Sequence, residues 1–254
     1  MLLKHIAKQI RIKILKISCA AKSPHIGSSL SIVEILVVLY KFFIKKKNIF
    51  ILSKGHACLA YYCVLNKFHY FSDKILKSYG QNNTILLSHV SHKVPGIVFS
   101  TGSLGHGLPY ATGRALAEKI NKTNNKIFVL ISDGELNEGT TWESLLFAAH
   151  HKLDNLIIII DYNKIQSLDF AKNVLKLEPL NKKFKSFGCN IKNINGHNFN
   201  QIYKSFIVMK NKKPTIIIAN TIKGKGVSFM ENSILWHYKF PNEKELKVAL
   251  KELK

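Results

Sequence analysis

The sequence predicts an α/β fold, a mostly parallel β-sheet with helices on both faces. Three observations carry that expectation. Residues 127–131, 156–160 and 215–219 are short runs dominated by Ile, Val and Leu, as expected of strands buried on both faces. The segments around them are longer and carry their apolar residues at helical spacing. The run 127–131 also ends directly on Ser132-Asp133-Gly134, a turn signal of the kind that joins a strand to a following helix.

Taken in order, Leu3, Ile6, Ile10, Ile14 and Ile17 form one helical stripe, so the basic N-terminus reads as a helix of the fold rather than a transit peptide. Ser31 and Glu34 have capping-box spacing and are expected to open an apolar helix running to about Phe43. A helix is expected over 105–120, a strand over 127–131, a helix over 140–152 and a strand over 156–160. A helix ending over 204–210 then feeds the strand 215–219. No repeat, low-complexity tract or Pro/Gly/Ser linker interrupts the 254 residues, so a single domain over 1–254 is expected.

Composition narrows the classes. The chain is 46% hydrophobic and 21% charged, as in a globular protein with a sizeable core. No apolar run approaches the ~18–20 residues of a membrane helix, and no apolar block followed by small residues marks a secretory signal. Cys19, Cys58, Cys63 and Cys189 have neither Cys-x-x-Cys nor metal-ligand spacing; they read as buried thiols of a reducing compartment, the cytoplasm. The 38 basic and 15 acidic residues give a net charge of +23. A surface drifted toward lysine, attraction of phosphorylated ligands or an acidic partner, and nucleic-acid binding would each produce it. The lysines at 45–47, 182–185 and 210–213 lack an interleaved aromatic platform, which argues against nucleic acid.

The chemistry concentrates in residues 127–166. If 127–131 and 156–160 are neighbouring strands, Asp133 and Asn163 project from adjacent loops at one end of the sheet, where α/β folds bind ligands. A carboxylate and an amide oxygen are hard donors suited to Mg²⁺ or Ca²⁺. Gly134 leaves room for backbone N–H groups to meet an anion at a helix start. Together these features describe a site for a metal-bound diphosphate. Each alone is also what an ordinary Asp-Gly turn or an Asx cap looks like.

Asp133-Gly134, Glu138-Gly139 five residues after the Asp, and Asn163 thirty residues after it match the motif of thiamine-diphosphate enzymes. Four blocks in the same order narrow the match: P-H-I-G-S-S-L-S (24–31), S-K-G-H-A (53–57), V-P-G-I-V-F-S-T-G-S-L-G-H-G-L-P (94–109) and N-T-I-K-G-K-G-V-S-F-M-E (220–231). With them the chain resembles the N-terminal segment of transketolase over nearly its whole length, and the resemblance implies the thiamine-diphosphate-binding fold. Full-length transketolases continue into a pyrimidine-binding and a C-terminal domain, so the likeness is to the separately encoded N-terminal subunit.

The resemblance implies roles residue by residue. Asp133, Asn163 and the carbonyl of Ile165 would hold Mg²⁺ (or Ca²⁺). The N–H of Gly134 would meet the diphosphate, with His56 on the same group. Gly102, Ser103 and Leu104 would line the aminopyrimidine. His25, His89 and His237 would reach the substrate hydroxyls, since carbon–carbon cleavage needs a proton removed by a group titrating near neutrality. His92, three residues beyond His89, competes for that position. His150 and His151 end a helix, where a cation suits the dipole, and take no role. Glu138 and Glu143 match positions at the family's subunit interface. Three departures from the family stand out: Ser132 and Pro24 each replace a usual Gly, and bulky Tyr238 stands where a Gly commonly follows the histidine.

The implied reaction is two-carbon ketol transfer between sugar phosphates. The implied partner is a C-terminal subunit bearing the pyrimidine-binding domain, whose glutamate activates the cofactor ring, in a two-plus-two assembly. The competing readings are the α-subunit of a 2-oxo-acid dehydrogenase, a deoxyxylulose-phosphate synthase-like enzyme, and a decayed cofactor-binding or basic RNA-binding module. Blocks 24–31 and 94–109 argue against the dehydrogenase, and joint retention of Asp133, Asn163, His25, His56 and His89 argues against decay.

Overall fold

A five-stranded, wholly parallel sheet of order β1-β2-β3-β5-β4 organises the chain, with β1 at Ile49–Leu52, β2 at Ile127–Ser132, β3 at Leu156–Tyr162, β4 at Asn190–Asn195 and β5 at Thr215–Asn220. This is seen in a computed structural model that describes residues 2–44, 47–207 and 211–253. Period-two alternation sends the central strands' side chains into two separate cores. Phe128, Leu130, Ile157, Ile159 and Ile217 face one core, and Val129, Ile131, Ile158, Ile160, Ile216 and Ile218 face the other.

Helices cover both faces. The first core is closed by α1 (Leu2–Ala21), α2 (Ile26–Leu30), α3 (Val33–Val38) and α4 (Cys58–Lys67), with Leu76 of the short α5 (Asp73–Lys77). The second is closed by α6 (Gly107–Ile120), α7 (Gly139–His150), α8 (Ala171–Val174) and α9 (Leu180–Ser186). Ile202 and Phe206 of α10 (Phe199–Phe206) and Ala249 of α11 (Glu243–Glu252) return to the first. No helix among the described residues is long and apolar enough to cross a membrane. Ile158 of β3 is 1% exposed between β2 and β5. Ile158→Ala should therefore cost about 2–5 kcal/mol, because a cavity at the sheet centre cannot collapse; urea unfolding reads it directly.

The N-terminal stripe folds as expected: Ile6, Ile10 and Ile14 are buried in α1. The capping box does not form. Ser31 Oγ donates to Ser28 O and to Asp161 Oδ2 at 2.7 Å, and Glu34 is drawn to Arg11. α3 begins without a side-chain cap and runs into a π-helical turn, Leu39–Phe43. The hydroxyl and carboxylate that a cap needs are both taken by buried long-range partners, which are worth more than a local cap. The helix expected over 204–210 ends at Phe206; residues 208–210, and Lys45 and Lys46 of the first lysine run, lie outside the described residues.

Candidate active site

The carboxyl ends of β2 and β3 lie side by side, with Ser132 in register with Asp161. Asp133 and Asn163 therefore leave adjacent strands at the same end of the sheet, and both are buried. They line a cavity of about 280 Å³ together with Ile165, Gly134, Gly102, Leu104, His25, His56, His89 and His237. Of the residues assigned to the site from sequence, Ser103 does not line the cavity and is exposed. His92 also stays outside, its Nδ1 2.7 Å from Ser100 Oγ.

The loops reach this point because close backbone contacts bind them there. A Cβ on Gly55 would lie 2.4 Å from Thr101 O, and one on Gly107 would strike Ser53. Glycine at both positions lets the loop bearing His56 interlock with the one bearing Gly102 and Leu104. Buried Glu135 fastens the second loop to the sheet, accepting from Gly105 N at 3.0 Å, Ser132 N at 2.8 Å and the Ser53 hydroxyl. Ser132 itself, a departure from the family, causes no obstruction, since its Oγ accepts from Glu135 N.

The donor set for a metal is mixed. Among the described residues, no three His, Cys, Asp or Glu side chains are arranged as a metal cluster. What converges is one carboxylate, one amide oxygen and one backbone carbonyl. Asn163 Nδ2 donates to Asp161 Oδ2 at 3.0 Å, and Ile165 N donates to Asn163 Oδ1 at 3.1 Å, which orients the amide. Asp133 accepts from Gly134 N at 2.9 Å and Lys164 N at 2.6 Å, but none of the ion pairs among the described residues includes it. Burial, and then the nearby Asp161 carboxylate, push its pKa up to about 7. A buried carboxylate outside any ion pair, beside two neutral oxygens, fits a hard divalent ion. The side of Gly134 is open as well: a Cβ there would meet nothing nearer than 3.7 Å.

Facing this corner are the histidines. His25 lies 5.3 Å from His56, 6.0 Å from His89 and 5.0 Å from His237 between ring centroids. His25, after Pro24, adopts a left-handed backbone with φ of 66°, a conformation that costs energy and recurs at functional sites. Its N–H donates to His237 O at 2.9 Å. Burial lowers all four pKa values, aided for His25 by His89 and Lys223 and for His237 by Lys223; His25 falls to about 4 and His237 to about 3. The four imidazoles are thus neutral at pH 7 and can accept a proton or a hydrogen bond. Tyr238 stands half-exposed beside them, 4.9 Å from the His237 ring.

Two buried lysines were not singled out from sequence. Lys54 and Lys223 are both 1% exposed and both line the cavity. Lys54 pairs with Asp161, which also accepts from Ser31, Asn163 and Thr221. Burial alone would raise Asp161, but Lys54 outweighs it and holds the carboxyl below its usual range. Lys223 Nζ donates to Ile165 O at 3.1 Å and sits 2.9 Å from His237 Nδ1. Burial and then Lys54 bring its pKa down to about 8. Both lysines lie inside matched blocks, 53–57 and 220–231, but surface lysines abound in this sequence and residue type alone did not set them apart.

Residues 3–252 match the family described as transketolase, thiamine diphosphate binding domain. The chain is 44% identical to an apulose-4-phosphate transketolase subunit of Actinobacillus succinogenes, over 98% of this chain and 94% of that one. It is 38% identical to the 6-deoxy-6-sulfo-D-fructose transketolase subunit of a Clostridium species, over 90% and 88% of the two chains. Its fold superposes on the transketolase of Campylobacter jejuni with a TM-score of 0.92 at 29% identity, covering 99% of this chain and 42% of that enzyme.

Proposed function

The chain belongs to the transketolase thiamine-diphosphate-binding domain family, and from that premise we propose that it forms the diphosphate-binding half of an active site for two-carbon ketol transfer between sugar phosphates. The other half comes from a C-terminal partner subunit carrying a pyrimidine-binding domain. One observation carries the reading: Asp133, Asn163 and Ile165 share a single cavity at the strand ends with four histidines. A 2-oxo-acid dehydrogenase subunit would share the metal corner, whereas the relatives at 44% and 38% identity are transketolase subunits.

In this reading Asp133, Asn163 and the Ile165 carbonyl would hold Mg²⁺ (Ca²⁺ would also suit these oxygens), and Gly134 N–H with His56 would meet the diphosphate. Gly102 and Leu104 would line the pyrimidine end. Bound thiamine diphosphate supplies the carbanion-stabilising chemistry; the protein's residues bind, orient and move protons. Lys54 and Lys223 offset the anionic charge brought in, and those anions in turn raise the basicity of His25, His89 and His237 toward neutrality. Each imidazole can then take the proton of a substrate hydroxyl. Cytoplasmic residence accompanies this reading, since all four cysteines are free thiols and burial pushes Cys58 up to about 12, leaving it unreactive.

The division of labour among the histidines is the test. His56→Ala should mainly weaken cofactor affinity. His25→Ala should leave affinity near normal and lower kcat by roughly 10²–10⁴, the worth of a proton-transfer group. Calorimetric titration of thiamine diphosphate together with steady-state ketol transfer separates the two effects. Identical profiles for both variants would remove the assignment.

A further inference from the structure

Arg11, Glu34 and His197 lie outside the cavity, yet they connect the elements that bring Lys223 and His25 to it. Arg11 and Glu34 are 5% and 7% exposed and meet as a two-point ion pair, at 2.7 and 2.8 Å. The same guanidinium donates through Nε to Lys225 O at 2.8 Å and through Nη2 to Leu30 O at 3.3 Å. One side chain on α1 thereby holds the end of α2, which begins just after His25, and the loop that carries Lys223. Glu34 Oε2 accepts from His197 Nδ1 at 3.0 Å. That bond fixes the proton on Nδ1 and leaves Nε2 bare, and Nε2 accepts from the backbone N–H of Ile222 at 2.9 Å.

Ile222 immediately precedes Lys223. The lysine loop is further tied to α2 by Gly224 N donating to Gly27 O at 3.0 Å. A fully buried ammonium must be aimed accurately, because desolvation is compensated only where its acceptors are in place. Here those acceptors are Ile165 O, Gln166 O and His237 Nδ1. Buried ion pairs are poor stabilisers against apolar replacements.

We propose that Arg11, Glu34 and His197 form a positioning relay that sets the place of Lys223 and α2 relative to the diphosphate corner. The proposal rests on the functional reading above. None of the three lines the cavity; they act through the Ile222 and Lys225 backbone.

Two substitutions at one position test it. His197→Asn keeps a donor near Nδ1 for Glu34 but removes the acceptor for Ile222 N–H. His197→Gln reaches the Ile222 N–H with its carbonyl oxygen. In the full chain, hydrogen exchange of the 221–226 amides should rise about tenfold or more in the Asn variant and stay near wild type in the Gln variant, with β2 and β3 unchanged in both. With MgCl₂ and the partner subunit present, thiamine diphosphate affinity should fall about tenfold for Asn and no more than about threefold for Gln, the scale of one buried hydrogen bond. Wild-type exchange in the Asn variant, or equal losses in the two variants, overturns the relay. A wild-type assembly that fails to bind Mg²⁺ and thiamine diphosphate overturns the functional reading instead, and the exchange measurement still decides the relay.

Discussion

Asp133→Ala should abolish measurable thiamine diphosphate binding in the assembled enzyme while leaving the fold intact. The side chain is 2% exposed and carries the only carboxylate of the proposed donor set. Without it, a divalent ion would keep only two neutral oxygens and be held weakly, and the diphosphate would lose that ion's charge in a buried corner. The expected loss is several kcal/mol, roughly a thousandfold or more in Kd. The fold should not suffer, because burial already pushes Asp133 up to about 7, which means that the charged form is disfavoured in the folded chain. Asp133→Asn should also lose the metal, while its one carbonyl oxygen keeps only one of the two backbone hydrogen bonds that Asp133 accepts. Calorimetry with Mg²⁺ and thiamine diphosphate, paired with thermal melts, reads both effects. Near wild-type affinity in the Ala variant would mean that the metal is held elsewhere.

The sequence disclosed the central strands because they are buried on both faces. Nothing but β-branched and other apolar residues fits there, and β2, β3 and β5 were legible within two residues at either end. The edges were not legible. β1 is only four residues long, and β4 carries just two apolar residues, Ile191 and Ile194, three apart and so on opposite faces, among Asn and Lys. That pattern resembles a polar loop in a chain so rich in Asn and Lys. At the site, Asp133, Asn163 and the histidines could be read because their spacing and flanking glycines form a motif. Lys54, Asp161, Arg11 and Glu34 could not, since what distinguishes them is burial and a partner distant in sequence: Lys54 and Asp161 lie 107 positions apart. The Ser31–Glu34 spacing even suggested a local cap, because a sequence shows neighbours along the chain more readily than competitors across the core.

The second large effect concerns assembly. The 254-residue polypeptide alone, given Mg²⁺ and thiamine diphosphate, should show no ketol transfer, and adding a C-terminal partner subunit should create the activity. The cavity holds only about 280 Å³, just below the roughly 300–1,000 Å³ range of pockets that enclose a drug-sized ligand. A cofactor with both a diphosphate and two rings would remain half in water there. Exposed apolar side chains stand on the elements that follow the metal corner: Leu146 and Phe147 on α7, and Leu168, Phe170, Val174 and Leu175 in and around α8, with Leu168 78% exposed. A partner subunit seated on these elements would cover them. The region matched in the Campylobacter enzyme is 42% of that chain, while the Actinobacillus relative, itself a transketolase subunit by name, is matched over 94% of its length. A catalytic interface of this kind should exceed the ~1,600 Å² of a standard complex and close with two-fold symmetry as a two-plus-two assembly. An acidic partner would also relieve the +23 net charge. Purification of the chain alone, ketol-transfer assay with and without the partner, and sedimentation of the mixture test these points together. Robust turnover by the single polypeptide would show that the active site is complete within one chain.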